Sequence, residues 1–257
     1  MLFILVFLLF AITLTSGKAL AHQQSIEEYI ESPEFVAKVE HIIVDFIKKQ
    51  QRLQQQAEAQ AQMQRGNNIP AVDTDKDRIR GKITAEYSLI EYSDFECAYC
   101  KRFHAIASKF EQQHEDVNWV YRHYPLEFHN PLAALEAEAS ECAAEQGGNP
   151  AFWQYADLIF ANSTSNGKAV KDGQLASYAK QLGLNLNSFN SCMDEHRMAD
   201  IVNQHIIQGR AANIQGTPAN YLRHNPTGLT LEIPGAQPLK NLNAALQQLK
   251  QQVSQVQ

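Results

Sequence analysis

Two cysteines, Cys97 and Cys100, are separated only by Ala98 and Tyr99. They follow an apolar run ending near Tyr92 and precede a helical pattern, so the spacing places them at a strand-to-helix turn. A thiol at the first position of such a turn faces unpaired backbone N–H groups and the positive end of the helix dipole, both of which favour its thiolate. A second thiol one turn along can attack a mixed disulfide formed on the first. The expected chemistry is thiol–disulfide exchange, with Cys97 as nucleophile and Cys100 as resolver. Two other chemistries share the spacing. A zinc half-site needs two more close ligands, and the remaining cysteines, Cys142 and Cys192, are distant and fall on separate predicted helices. A plain structural disulfide between Cys97 and Cys100 would close a tight loop of little stabilising value.

The elements that must position this pair are legible around it. Ser88–Tyr92 reads as a strand, a helix runs from the cysteines to about Gln113, and Val117–Tyr121 reads as a second strand. That order is a βαβ unit. Helical patterning follows over Leu132–Gln146, Ala151–Phe160, Gln174–Leu182, Leu186–Glu195 and His196–Ala212, punctuated by glycines. After Gly216-Thr217-Pro218 come two extended segments, Ala219–Leu222 and Leu229–Ile233, and a closing helix over Pro238–Val253. The body, residues 70–257, is therefore α/β: βαβ, a helical insertion over about 130–210, then ββα.

The 257 residues are 44% apolar and 19% charged, with a net charge of −6. This describes a globular protein with a real core and argues against a nucleic-acid binder, which shows a basic stripe. Residues Leu2–Leu14 are apolar apart from Thr13, and Ala19-Leu20-Ala21 suits signal peptidase. Residues 1–21 are expected to be a cleaved leader, which sends the chain to a compartment where disulfides persist. An uncleaved anchor is the alternative, but the apolar run falls short of the ~30 Å hydrocarbon core.

Residues 22–69 look separate from the body. Ile26, Tyr29, Ile30, Val36, Val39, Ile43 and Phe46 recur at mostly three- and four-residue steps. Ser32-Pro33 interrupts the pattern as an N-cap and first-turn proline. A Gln-rich stretch from Gln50 to Gln64 continues the helix with little to bury, and Gly66-Asn67-Asn68 ends it. The apolar stripe either packs on its own domain or on a copy of itself. The solvated spacer favours an oligomerisation arm, with a dimer favoured over a trimer.

The stretches Leu89–Cys100, Tyr121–Leu126, Glu141–Gly147 and Gly216–Pro218 occur in an order that resembles the DsbA family, with the Com1-like or dimeric DsbA-like branch nearest. The resemblance implies a thioredoxin fold with a helical insertion, preceded by the helical arm. It implies that Thr217-Pro218 forms a cis bond beside the cysteines and that Glu91 is a buried acid beneath them, a proton acceptor for the resolving thiol with a raised pKa. It implies a second, structural disulfide between Cys142 and Cys192; free thiols or a second redox pair are the alternatives. Ala98 and Tyr99 tune the potential, and in the absence of the Pro-His found in the most oxidising relatives the pair is expected to be less oxidising. Glu96 is expected to be exposed, Asp94 to be a turn residue, and His104 to be a packed or solvated helix histidine. The Leu222–Leu229 stretch departs from the family's short turn.

The expected function is a periplasmic thiol–disulfide oxidoreductase that forms, and isomerises, disulfides in exported proteins. Its partners would be reduced or misfolded secreted proteins and a DsbB-, VKOR- or DsbD-like membrane redox partner. No cofactor, metal or nucleic acid is expected. The alternatives are a dedicated isomerase or reductase, an envelope oligomer with a vestigial pair, and a copper-handling thioredoxin-like oligomer using Cys97 and Cys100 as soft ligands.

Overall fold

A computed structural model describes residues 28–66, 68–166, 170–171 and 173–256. The expected leader, residues 1–21, lies outside the described residues. Among the described residues no helix is long and apolar enough to cross a membrane. The chain divides into two compact units, at Ala59 and Gln60.

The first unit carries most of helix α1, Pro33–Gly66. Ser32 caps it: its Oγ accepts the Phe35 N–H at 3.2 Å, and Pro33 supplies the fixed φ of a first turn. The Tyr29 and Phe35 rings meet at 5.3 Å across this cap. Val36, Ile42, Ile43, Val44, Phe46, Ile47 and Leu53 are exposed large apolar side chains. The helix continues through the Gln-rich stretch to Gly66, as the composition of helix formers predicts.

The second unit is built on a sheet of five strands: β1 (Arg78–Arg80), β2 (Tyr87–Ser93), β3 (Val117–His123), β4 (Ala219–His224) and β5 (Thr230–Pro234). Their spatial order is β1-β3-β2-β4-β5. β2 runs parallel to β3, with Leu89 opposite Trp119 and Glu91 opposite Tyr121. The pairs β1·β3, β2·β4 and β4·β5 are antiparallel. β2 and β3 are buried along their whole length, which is why they read as near-continuous runs rather than as alternations. Strand β1 was not expected from the sequence. It is a three-residue edge strand, too short to show a period.

Helix α2 (Ala98–Gln113) and helix α7 (Leu239–Val256) lie in contact with one another. Phe103, Ala107 and Phe110 of α2 and Leu242, Leu246 and Leu249 of α7 join Leu89, Trp119 and Tyr121 in the larger core. The insertion contributes α3 (Leu132–Asn162), α4 (Gln174–Gln181), α5 (Leu186–Asp194) and α6 (Ala199–Ala211). The two helices expected over 132–160 join at a kink, where Gly148 takes φ 63° and ψ −155° ahead of Pro150. Cys142 on α3 and Cys192 on α5 form a disulfide, with Cα atoms 5.9 Å apart. A smaller core of Ile79, Ile90, Tyr92, Val120, Ile214 and Tyr221 fills the opposite side of the sheet. This is a thioredoxin fold with a helical insertion, as expected.

Candidate functional site

Strand β2 ends at Ser93, and the turn from Asp94 to Cys97 delivers the chain into α2. Asp94 organises that turn. Its Oδ1 accepts the Glu96 N–H at 2.8 Å, its Oδ2 accepts the Leu126 N–H at 2.8 Å, and His129 Nδ1 lies 2.7 Å from the same Oδ2. The Cys97 N–H donates to the Asp94 carbonyl at 3.1 Å. An aspartate's own side chain caps the backbone two residues on, which makes it the residue for this turn. Cys97 then occupies the N-cap of α2, with φ −80° and ψ 120°.

The two thiols are free and buried, but unequally so: Cys97 is 6% exposed and Cys100 is 0% exposed. The Cys97 Sγ lies 3.4 Å from the Thr217 carbonyl oxygen. The Thr217–Pro218 bond is cis, which turns the β4 approach so that this carbonyl faces the sulfur. A hydrogen bond from Cys100 lowers the Cys97 thiol to about 6 against the opposition of burial, with help from Thr217 and the backbone amides of Tyr99 and Cys100. Burial raises Cys100 well above its ordinary value, and the neighbouring Cys97 adds to the effect. One thiol is thus poised as a thiolate near neutral pH while its neighbour keeps its proton.

Glu91 sits beneath this pair, wholly buried. Burial pushes it up to about 8, opposed by Ser93 and Trp119, and the Cys97 charge raises it further. Trp119 Nε1 donates to Glu91 Oε2 at 3.0 Å. Sequence reasoning missed Trp119. The signal was the parallel register, because Glu91 shares a strand face with Leu89, and Trp119 pairs with Leu89.

Glu96 corrects an expectation. The sequence suggested a solvent-facing side chain, whereas Glu96 is 0% exposed. The reason is the turn. Asp94 draws the Glu96 N–H inward, and the Asn166 N–H donates to the Glu96 carbonyl at 2.8 Å, closing the residue under the chain beyond α3. Asp94 does more than turn the chain, since it also holds the Leu126–His129 segment. His104 is packed, with its ring 5.0 Å from Trp119 and 4.5 Å from Phe160 and its Nε2 2.6 Å from Asp157. Burial lowers its pKa despite that carboxylate.

Tyr99 is exposed, and the Arg102 guanidinium lies 4.5 Å from its ring centroid. Ala98 is exposed beside it. Among the described residues no group of three or more His, Cys, Asp or Glu is placed to hold a metal ion.

A family model described as Thioredoxin matches residues 73–228. The crystal structure of Pseudomonas aeruginosa DsbA2 superposes with a TM-score of 0.62 at 31% identity, covering 67% of this chain and 94% of that one. Oxidised BdbD from Bacillus subtilis gives a TM-score of 0.60 at 20% identity, over 70% of this chain and 96% of its own. BcfH from Salmonella enterica Typhimurium gives 0.64 at 16% identity, over 92% of this chain and 99% of its own. At those identities the last two speak for the fold alone. Among curated proteins, the Na(+)/H(+) antiporter NhaA 3 of Salinispora tropica is 34% identical over 151 residues, which are 59% of this chain and 22% of that protein. The NhaA antiporter of Herminiimonas arsenicoxydans is 35% identical over 156 residues, 60% of this chain and 23% of its own length. The chain spans no more than a quarter of the length of the curated relatives it matches.

Proposed function

The chain belongs to the DsbA family of thioredoxin-fold thiol–disulfide oxidoreductases, and from that premise we propose that it forms and isomerises disulfide bonds in exported proteins through Cys97 and Cys100. The observation that carries this reading is the inequality of the two thiols, with Cys97 lowered to about 6 and Cys100 raised. In the oxidised pair, a substrate thiolate attacks the Cys97 Sγ. The Cys97–Cys100 bond breaks, a mixed disulfide forms on Cys97, and the Cys100 sulfur leaves and takes a proton. A second substrate thiolate then attacks the substrate sulfur of the mixed disulfide. The substrate gains its disulfide, Cys97 departs as a stabilised thiolate, and the pair holds the two electrons. Glu91, with a pKa near 8, is suited to exchange the Cys100 proton. Isomerisation runs from the reduced pair: the Cys97 thiolate attacks a wrong substrate disulfide and is released when a substrate thiolate reforms a better one.

Thr217 and Pro218 present the carbonyl side of the cleft against which an extended substrate backbone would lie. Ala98 and Tyr99 set the environment of the thiolate. The pair is emptied by a membrane redox partner. The exposed apolar side chains of α1 associate with those of a second copy, dimer over trimer, giving two sites at high effective concentration. Residues 1–21 direct export to the periplasm or envelope, and residues 70–257 are the catalytic domain.

An RNase refolding assay and an insulin reduction assay test the enzyme reading. Wild type is expected to be active in both and Cys97→Ser in neither; an inactive wild type ends the reading. Removal of residues 22–65 tests the arm by mass in solution, and an unchanged mass would exclude self-association through it.

A further inference from the structure

The turn that delivers Cys97 is held from outside its own stretch of chain. β3 ends at His123, and the residues after it run beside the turn: the Tyr124 N–H donates to the Ser93 carbonyl at 2.7 Å, and the Leu126 N–H to Asp94 Oδ2 at 2.8 Å. Glu127–His129 then forms one turn of 3-10 helix, in which the His129 N–H donates to the Leu126 carbonyl at 2.9 Å. Phe128 stays exposed, while the next residue, His129, is carried inward. Its Nδ1 lies 2.7 Å from Asp94 Oδ2, and both residues are buried. A carboxylate only accepts, so the ring donates through Nδ1–H. The ring is braced in turn. Phe128 packs edge-on against it at 4.4 Å, and the chain beyond enters α3 with Asn130 Oδ1 accepting the Ala134 N–H at 3.2 Å.

Asp94 has two tasks that demand one conformation. Its Oδ1 must meet the Glu96 N–H and its backbone carbonyl must meet the Cys97 N–H, at 2.8 and 3.1 Å. The last torsion of an aspartate side chain is broad, and one hydrogen bond on Oδ1 leaves it free to rock. Two donors on Oδ2, both from a separate segment, fix that torsion, and His129 is the side-chain donor of the two. The turn sets the backbone of Cys97 at the N-cap of α2, and with it the aim of the Tyr99 and Cys100 amides at the sulfur. We propose that His129 is a positioning residue for the nucleophile: through Asp94 it holds the turn in the conformation that aims those amides at the Cys97 Sγ. It acts by way of the carboxylate and not on the sulfur. The consequence for exchange chemistry rests on the thiol–disulfide reading, whereas the effect on the Cys97 thiolate does not.

The test uses the full chain with the Cys97–Cys100 pair reduced, and follows iodoacetamide alkylation of Cys97 against pH, the site being read from fragment masses. Asn places an amide N–H where the imidazole carries Nδ1–H, whereas Gln places it further out, where Nε2 would be. His129→Ala and His129→Gln should therefore lose the tie to Asp94, and His129→Asn should keep it. With the amides less well aimed, less of Cys97 is thiolate in mild acid. Near pH 6 the Ala and Gln variants should react more slowly than wild type by roughly fivefold, and above about pH 9, where the thiol is ionised in all of them, the rates should converge. His129→Asn should follow the wild-type profile to within roughly twofold. The equilibrium of the pair with glutathione should move in step, toward the disulfide in the Ala and Gln variants, because their reduced form is less stabilised. Profiles identical to wild type would overturn the positioning role. So would a rate lowered by the same factor at every pH, which reports access and not the thiolate. An Asn variant as impaired as the Gln variant would overturn it too, and that comparison decides alone if His129→Ala does not fold. Alkylation needs no turnover, so failure of the oxidoreductase reading would show instead as an inactive wild type with these profiles intact.

Discussion

Glu136 and Glu141 lie on the same helix, both at 0% exposure, yet they end at opposite extremes. Burial raises both. At Glu141 it is overcome by His123, whose Nε2 lies 2.9 Å from Oε1, and by Arg78, which donates to Oε2 from Nε at 2.8 Å, so the carboxyl is held at about 2. At Glu136 the neighbours are acids, and the group is pushed to about 9. The lesson is that burial sets the stakes and partners decide the outcome. Glu141 holds a fixed charge that binds the edge strand β1 to the insertion. Glu136, five residues earlier on the same helix, holds a proton beside the acids of the redox turn.

The comparison can be broken most forcefully at Arg78. Replacing it by Ala leaves Glu141 with one partner in place of two, and stability should fall by on the order of 3 kcal/mol, read by urea unfolding of the oxidised protein. An unchanged midpoint would mean that His123 alone holds the charge. Glu141→Gln removes the charge along with its attraction and should cost less, about 1–3 kcal/mol. The same group sharpens the contrast in acid. A carboxyl lowered on folding contributes stability present above its ordinary value near 4.5 and lost as pH falls through about 2. Wild type should therefore lose about 3 kcal/mol more than Glu141→Gln across that interval. Glu91→Gln tests a third buried acid with the opposite slope. Its contribution is full below the ordinary value and lost as pH rises through about 8, so the variant should gain on wild type at alkaline pH; identical slopes would contradict its raised pKa. The smallest effect is expected from Glu136→Gln near pH 5, within about 1 kcal/mol, because both side chains are then neutral.

Much of this was legible in the sequence wherever the signal was local. The Cys97–Cys100 spacing, the flanking apolar runs and the Ser32-Pro33 cap are short-range patterns, and the fold and elements they predict are the ones observed. β1 was not legible, because Arg-Ile-Arg carries one apolar residue and its partner Tyr121 lies far along the chain. Glu96 misled for the same reason. A glutamate in a turn reads as exposed, and only the Asp94 side chain and Asn166, brought back by α3, turn it inward. The Arg78–Glu141 contact spans 63 residues, and no periodicity announces a pairing at that distance.

The disulfide between Cys142 and Cys192 has a consequence for the order of events in the life of the chain. Both sulfurs belong to residues at 0% exposure, 50 positions apart in the sequence. No incoming thiolate, including the Cys97 thiolate of another copy, can reach them once the insertion has closed. The bond must therefore be made before closure, by an oxidant acting on an unfinished chain. Before it can exchange disulfides with others, each molecule is a client for one.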